Sequence, residues 1–231
     1  MTKNALIVGA GDGISASFAR VLAREGYAVG LAARNTEKLA GLAGDIGAET
    51  FACDVVERDD VTRLFDDASG RLGALDVVLY NPSFRTRGPF VEQAVDDVEK
   101  ALMVTAFGGF LVAQAAAKHM LEAGQGAILF TGASASIKGY ALSAPFAMGK
   151  FALRGMAQSM ARELHPKNIH IAHFVIDGGV RNPARDRVEP DDAPDSFLDP
   201  DGIAETYLAI LNQPRSVWTW EVEVRPWVER F

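Results

Sequence analysis

A regular alternation of short apolar runs and longer segments of helical period most constrains how this chain folds. Strand-like Ala5 to Val8 leads into helix-like Ile14 to Glu25, and Ala28 to Ala32 leads in the same way into Thr36 to Asp45. Parallel strands joined by crossover helices produce this pattern, because each helix returns the chain to the starting edge of the sheet. The sequence therefore predicts an α/β fold with one doubly wound parallel sheet and helices on both faces.

The alternation continues almost to the end of the chain, without a change of composition, so we expect a single domain over residues 1–231. Residues 178–200 interrupt it, since they are rich in Pro, Asp and Arg, and a connection this long is typical of a substrate lid. The remaining predicted strands are Glu49 to Ala52, Leu75 to Tyr80, Ala127 to Thr131, Ile169 to Ile176 and Ser216 to Val224, and the remaining helices are Asp59 to Leu72, Val95 to Leu121, Ser143 to Leu164 and Asp201 to Leu211.

Composition argues against several classes of partner. With a formal net charge of -7, the chain lacks the basic surface that binds nucleic acids. The most apolar helical stretch, Phe107 to Ala117, is shorter than a membrane span and contains Gln114. Cys53 is the only cysteine and no leader precedes the first strand, so we expect a cytoplasmic protein without disulfides.

Three glycines, Gly9, Gly11 and Gly13, occupy the turn between the first strand and the first helix, which Ile14 begins. In a dinucleotide site this turn is tight, a pyrophosphate approaches the backbone closely, and the helix N terminus directs free N–H groups at the phosphates. A plain tight turn uses the same residues. The position between a strand and an amphipathic helix favours a Rossmann-type dinucleotide site.

The end of the second strand discriminates between the two nicotinamide dinucleotides. An acidic residue there binds the ribose hydroxyls of NAD and repels a 2′-phosphate. This chain has Ala33 and Arg34 instead, and a guanidinium binds phosphate through charge-assisted hydrogen bonds. Asp12 partly opposes the phosphate, and an exposed arginine in a loop is the simpler interpretation. The residues favour NADP(H), with NAD(H) as the alternative.

With these features the chain resembles the short-chain dehydrogenase/reductase family, at least from Lys3 to about Asn182. The turn keeps Gly9 and Gly13 of the family's motif, with Ser15 in place of the last glycine. The resemblance implies further cofactor contacts at motifs that this chain keeps in part. These are the adenine-contacting pair Asp54 and Val55, Asn81 after the fourth strand, and Gly178 with Val180 at the nicotinamide pocket.

The same resemblance implies that the family's catalytic residues are largely replaced. The positions of its Asn, Ser and Tyr fall on Thr105, Ala133 and Phe146, and only Lys150, which holds the ribose, remains. Phe146 and Lys150 keep the four-residue spacing that places both side chains on one helix face. A phenyl ring, however, has no proton to exchange with a substrate. The resemblance thus implies a divergent member without the usual catalytic Ser and Tyr.

Hydroxyl groups near the lost positions are candidate substitutes. Ser134 follows the lost serine, and Ser136, Tyr140 and Ser143 lie in the loop over the expected pocket. We take Lys150, Tyr140 and Ser134 as the candidate catalytic residues. Each hydroxyl has a simpler interpretation as a loop residue that forms turn hydrogen bonds, and Lys150 has one as a surface lysine on a helix.

Two functions agree with this pattern. The first is an oxidoreductase that moves a hydride between NADP(H) and a small carbonyl, alcohol or enone with a non-standard proton source. The second is a sensor or scaffold that binds NADP(H) but has lost its chemistry. An apolar pocket under a lid favours the enzyme.

The expected partners are a small-molecule substrate and further copies of the chain. Helices around Thr105 to Met120 and Phe146 to Leu164 are apolar, and family members commonly pair these helices, so we expect a homodimer or homotetramer. His170 and His173 would point to opposite faces of a strand, so no metal site is predicted. Nucleic acid and membrane are not expected partners.

Overall fold

The computed structural model describes residues 2–182 and 186–229. The strands in these ranges form one sheet in which every neighbouring pair is parallel. They are β1 (Asn4–Val8), β2 (Ala28–Ala33), β3 (Glu49–Ala52), β4 (Val77–Tyr80), β5 (Gly126–Thr131), β6 (Ile169–Ile176) and β7 (Glu221–Val224), in the order β3-β2-β1-β4-β5-β6-β7 across the sheet. The predicted doubly wound α/β sheet is confirmed.

Helices cover both faces of the sheet. They are α1 (Ile14–Arg24), α2 (Ala40–Ile46), α3 (Arg58–Leu72), α4 (Val95–Leu102), α5 (Gly108–Ala123), α6 (Ala144–Leu164) and α7 (Pro200–Leu211). Alternate strand residues point to opposite sides, so Leu6 packs with α3, α5 and α6, whereas Ile7 packs with α1 and α7. Strands buried on both sides consist of apolar residues almost throughout, which is why the sequence predicted them well.

The chain changes direction across the sheet between β1 and β4. From β1 it proceeds outward to β2 and β3, then crosses back to β4 on the other side of β1. In open α/β sheets, the crevice at the carboxyl ends of the two strands that flank such a reversal is the usual ligand site. Val8 and Tyr80 are the last paired residues of β1 and β4, so the segments that follow them border this crevice.

Helices α4 and α5 belong to one continuous helix, Val95–Ala123, because a π-helical turn at Met103–Phe107 joins them without a break. By length and composition alone this helix could cross a membrane, so the prediction that its apolar stretch is too short for a span was wrong. Val112 and Met120 are nevertheless fully buried in the core beneath the sheet. Such burial is typical of a core helix in a folded domain.

The last strand is shorter than the predicted Ser216 to Val224. Arg215–Val217 form a 3-10 turn, and the side chain of Gln213 binds both the backbone N–H and the hydroxyl of Thr219. These bonds hold Thr219 outside the strand, and the first backbone bond to β6 is the one that Trp220 O accepts from His173 N at 2.8 Å. The remaining four residues pair with β6 and form the edge of the sheet.

Candidate active site at the carboxyl edge of the sheet

Two adjoining cavities open along the carboxyl edge of the sheet. The β3-side cavity, of about 790 Å³, lies over the ends of β2 and β3, and the β6-side cavity, of about 780 Å³, lies over the ends of β5 and β6. Asp12, Asn81 and Ser83 line both cavities, so the two are neighbours in one elongated crevice. A crevice of this shape fits an elongated ligand with a separate moiety for each cavity.

The glycine turn at the centre of the crevice requires glycine at two positions. Gly9 and Gly13 have φ values of 78° and 90°, which glycine adopts without a steric penalty. A Cβ on Gly9 would lie 2.6 Å from the ring of Pro82. The N terminus of α1 has no side-chain cap and no acidic residue in its first turn, so its backbone N–H groups are open to an anion. The turn therefore fits a pyrophosphate.

Two polar side chains stabilise this turn through hydrogen bonds to its backbone. The Ser15 hydroxyl accepts a hydrogen bond from Gly11 N at 3.0 Å and donates one to Gly11 O at 2.9 Å, and Asn81 Nδ2 donates to Gly9 O at 3.1 Å. Asn81 was predicted as a site residue. Ser15 was not, although its place at the family's last glycine was the available signal. Its hydroxyl fixes the turn conformation that a glycine there would leave free.

The β3-side cavity contains basic side chains where a cofactor phosphate would lie. Arg34 and Lys38 both line it and are exposed. Lys38 was missed, although a second basic residue only four positions after Arg34 was a sequence signal. The predicted cofactor residues at this cavity are Gly9, Gly11, Arg34, Asp54, Val55 and Asn81.

The β6-side cavity brings together the predicted nicotinamide-side and catalytic residues. These are Gly13, Ile14, Ser134, Tyr140, Lys150, Gly178 and Val180, together with Ala133 and Phe146. They come from the turn after β1, the loop after β5, helix α6 and the loop after β6. The structure therefore places the predicted cofactor residues on one crevice, and their roles there remain a proposal.

Lys150 is a buried cation at the floor of the β6-side cavity. Its side chain is only 2% exposed, and Nζ donates a hydrogen bond to Thr131 O at 2.7 Å. Burial disfavours the charged form and lowers the pKa of Lys150 to about 7. Lys150 is therefore not a surface lysine, and its amine changes charge close to neutral pH.

The phenyl ring of Phe146 lies between two cationic side chains. Its centroid is 5.9 Å from Lys150 Nζ and 5.1 Å from Cζ of Arg85. Cations are attracted to the face of an aromatic ring, so the ring helps to hold both groups in place. The one-turn spacing of Phe146 and Lys150 on α6 thus brings both side chains to the same cavity, as predicted.

The four candidate hydroxyls have different environments. Ser134 and the exposed Tyr140 line the β6-side cavity. Ser136 lies behind its wall: it is fully buried, and its hydroxyl accepts a hydrogen bond from Ala133 N at 3.1 Å. Ser143 lines the cavity and is 2% exposed, yet its Oγ has no hydrogen-bond partner among residues 2–182 and 186–229.

Thr105 lies in the π-helical turn and does not line either half of the crevice. It is fully buried, and its hydroxyl accepts a hydrogen bond from Phe84 N at 3.4 Å. A Cβ on Gly149 would lie 2.9 Å from Thr105 Cβ, so the turn packs directly against α6 beside Lys150. Thr105 therefore acts on the site through packing and through the backbone of the loop after β4.

The histidines of β6 bind protein groups on different sides of the strand. His170 Nε2 lies 3.0 Å from Thr219 O, whereas His173 lies 3.3 Å from Ser136 Oγ and 3.1 Å from a carboxylate oxygen of Glu221. Burial lowers the pKa of His173 to about 4, so it is neutral at pH 7. Within residues 2–182 and 186–229, no group of three or more His, Cys, Asp or Glu side chains is placed to hold a metal.

The loop at 178–200 is anchored near its ends. Val180 pairs with Leu198 in a parallel bridge, and Arg181 forms an ion pair with Asp199 at 2.6 Å. Phe197 from this loop lines the β6-side cavity. Residues 183–185 lie outside the described ranges, and the predicted role of the loop as a substrate lid stays a prediction.

The fold and the crevice together define a Rossmann-like α/β protein, and the comparisons identify its family. Residues 3–192 match the family model for short chain dehydrogenases, so the chain belongs to the short-chain dehydrogenase family and is an oxidoreductase of that type. An uncharacterized oxidoreductase of Staphylococcus aureus is 30% identical over 230 residues, which cover 97% of each chain.

Two solved structures extend this similarity to three dimensions. A short-chain dehydrogenase from Rhodopseudomonas palustris is 36% identical, with a TM-score of 0.83 over 97% of this chain and 99% of that one. An alcohol dehydrogenase from Thermococcus sibiricus, solved as a complex with 5-hydroxy-NADP, is 25% identical, with a TM-score of 0.89 over 100% of this chain and 99% of that one.

Proposed function

We propose that the chain is an NADP(H)-dependent oxidoreductase that acts on a small carbonyl, alcohol or enone with a non-standard proton source. The main support for this proposal is that the glycine turn and buried Lys150 line the same crevice. Phe146 beside Lys150 favours the alternative, an NADP(H)-binding sensor or scaffold. A panel of ketones, aldehydes and enones, read by loss of NADPH absorbance, separates the two, because a sensor turns over none of them.

The residues of the crevice have distinct tasks in this proposal. A bound nicotinamide cofactor supplies or accepts the hydride. The turn at Gly13 and the N terminus of α1 hold its pyrophosphate, and Lys150 donates hydrogen bonds to its ribose. Phe146 excludes water from the reacting position, which strengthens every hydrogen bond formed there.

NADPH is expected to bind more tightly than NADH, because Arg34 and Lys38 line the cavity on the adenosine side and form no ion pair with any described residue. Arg34→Asp should make NADH the more tightly bound cofactor. A carboxylate repels the 2′-phosphate of NADPH and accepts hydrogen bonds from the ribose hydroxyls of NADH. Fluorescence titration of both cofactors measures this, and we expect a change of about tenfold or more in their affinity ratio. Arg20→Gln, on the exposed face of α1, is the control. Equal affinities in the unaltered protein would refute the preference.

Ser143 is the hydroxyl best placed to bind the substrate oxygen. A buried hydroxyl without a partner costs about 1–3 kcal/mol, so its persistence calls for an explanation. Ser143 precedes α6, where serine usually caps the N–H groups of the first turn. Pro145 offers no N–H to such a cap, and the hydroxyl does not bind the N–H of Phe146 either. The hydroxyl therefore keeps its bonding capacity for a ligand in the β6-side cavity, although Oγ itself is shielded and a small shift of the wall is needed to expose it.

Ser143→Ala is expected to lower kcat by about 10²-fold, as the loss of one aligned donor commonly does. NADPH affinity should not change, because the hydroxyl is assigned to the substrate. The single-turnover rate of hydride transfer and the NADPH titration together measure both effects. Ser159→Ala, at an exposed position on the same helix, is the matched control. The assignment fails if Ser143→Ala keeps the parental rate while Ser134→Ala or removal of the Tyr140 hydroxyl abolishes it.

Assembly and location remain our inferences. A homodimer or homotetramer through α5 and α6 is supported by exposed apolar side chains on both helices, and sedimentation of the purified protein tests it. A cytoplasmic location rests on the single cysteine, Cys53, which is buried. The exposed apolar residues that support the oligomer are Phe110 and Leu121 on α5 and Met148 and Phe151 on α6.

A further inference from the structure

Three arginine side chains meet in the β6-side cavity. Arg85 and Arg87 follow β4, and Arg187 comes from the loop at 178–200; we call these three residues the arginine cluster. All three are exposed, and Lys150 lines the same cavity. The chain as a whole has a net charge of -7, so this concentration of positive charge is local to the cavity.

The arginine cluster forms no salt bridge with any carboxylate in residues 2–182 or 186–229. The cavity wall does contain acidic residues. Asp177 is paired with Lys138 and Arg225, whereas Asp12 and Glu229 line the cavity without forming an ion pair to the cluster. The positive charge of the three guanidinium groups is therefore not neutralised by a salt bridge within the described protein.

The guanidinium groups also repel one another. Burial lowers the pKa of Arg85, and the charges of Arg87 and Arg187 lower it further. Cζ of Arg85 lies over the ring of Phe146, an attractive contact that favours this position of the side chain. An anion between the guanidinium groups relieves this repulsion and accepts charge-assisted hydrogen bonds from them. The cavity therefore favours the binding of a negatively charged group.

We propose that the arginine cluster binds a carboxylate or phosphate group of the substrate, so that the enzyme acts on an anionic carbonyl or hydroxy compound. The inference rests on the proposed function and specifies its substrate class. Arg85 and Lys150 contact the same Phe146 ring, so the bound anion and the reacting carbon lie within the length of one small molecule. The substrate therefore has its carbonyl only a few bonds from its charge, as in an oxo acid or a phosphorylated aldehyde.

The first test measures binding and does not depend on turnover. Malonate and inorganic phosphate are titrated calorimetrically, at fixed ionic strength, into protein saturated with NADP⁺. The parent should bind at least one of these two probes, and the one it prefers identifies the anionic group. The combined Arg85→Gln, Arg87→Gln and Arg187→Gln variant should bind it at least tenfold more weakly, and Arg20→Gln should bind as the parent does. A tenfold loss of NADPH affinity in the triple variant would overturn the proposal, because the cluster would then hold the cofactor.

The second test measures turnover on matched pairs: oxo acids with their methyl esters, and glyceraldehyde 3-phosphate with glyceraldehyde. The parent should favour one class of anionic member at least tenfold in kcat/KM, and the triple variant should lose that preference through KM. Turnover without preference for either anion overturns this inference and leaves the proposed function intact. Binding of a probe without turnover of any pair supports the anion site and counts against the proposed function. Absence of both binding and turnover overturns both.

Discussion

Lys150→Met is expected to raise the melting temperature of the cofactor-free protein at pH 6 to 7, although it removes a residue of the site. Lys150 is 2% exposed, and burial lowers its pKa from 10.5 to about 7. That shift corresponds to at most roughly 5 kcal/mol of lost stability, and methionine has a similar length without the charge. The hydrogen bond lost at Thr131 O costs about 1–3 kcal/mol. We therefore expect a net gain of about 2 kcal/mol in the free energy of unfolding.

The stability gain of Lys150→Met should decrease as the pH rises. Because the folded-state pKa of Lys150 lies below the unfolded value, the unfolded parent binds more protons between about pH 7 and 10.5, and the parent gains stability as pH rises through this window. The variant lacks this contribution. The difference between variant and parent should be largest at or below pH 7 and shrink towards pH 10.5. Lys118→Met, at an exposed position on α5, should show no such trend. A difference that stays constant from pH 6 to 10 would contradict the argument.

The same variant should bind NADPH at least tenfold more weakly, because the proposed function assigns Nζ to the ribose of the cofactor and methionine has no donor to replace it. A variant that is more stable but binds more weakly is expected where the replaced residue destabilises the fold and is kept for its function. If Lys150 had a merely structural role, Lys150→Met would leave the NADPH affinity unchanged. Thermal melts and cofactor titration on one preparation distinguish the two cases.

The sheet and the glycine turn could be predicted because their signals are local. Each buried strand is a short apolar run, and each crossover helix has its own period, so the order of elements follows from the sequence. The need for glycine at Gly9 and Gly13 follows from the tight turn between β1 and α1. The long helix was predicted as Val95 to Leu121, close to the observed Val95–Ala123, but its π-helical turn at Met103–Phe107 was not, since such a turn has no clear sequence pattern.

The chemistry of the crevice depends on contacts between distant segments, and sequence predicted less of it. Arg85 and Arg187 are about a hundred positions apart, and only the fold brings them to one cavity. The burial of Ser136 behind the wall likewise depends on its contact with His173 on the neighbouring strand. In contrast, part of the signal at Ser143 was local, because Pro145 removes one of the two N–H groups that a capping serine usually binds, although that of Phe146 remains.

Phe146→Tyr combined with Ala133→Ser is expected to raise the rate of carbonyl reduction by about 10²-fold or more, the usual contribution of a positioned proton donor. Both residues line the β6-side cavity, and the half-buried ring of Phe146 lies beside Lys150 Nζ, so a phenol there would be close to an amine that is partly charged at neutral pH. A positive neighbour lowers the pKa of a phenol and favours proton exchange. Ala133→Ser adds a hydroxyl to the same wall, able to polarise the substrate carbonyl.

The measurement is kcat against pH on a panel of simple ketones and aldehydes, for the parent, both single variants and the double variant. The double variant should acquire a titration limb from the new phenol that the parent lacks, while its NADPH affinity stays within twofold of the parent's. Phe90→Tyr, at an exposed position before α4, adds a phenol away from the cavity and should change nothing. If the double variant binds NADPH normally yet gains neither rate nor the new limb, Phe146 does not occupy the proton-donor position. A parent that already reduces carbonyls rapidly after loss of the Ser134, Ser143 and Tyr140 hydroxyls would instead show that water or the substrate itself supplies the proton.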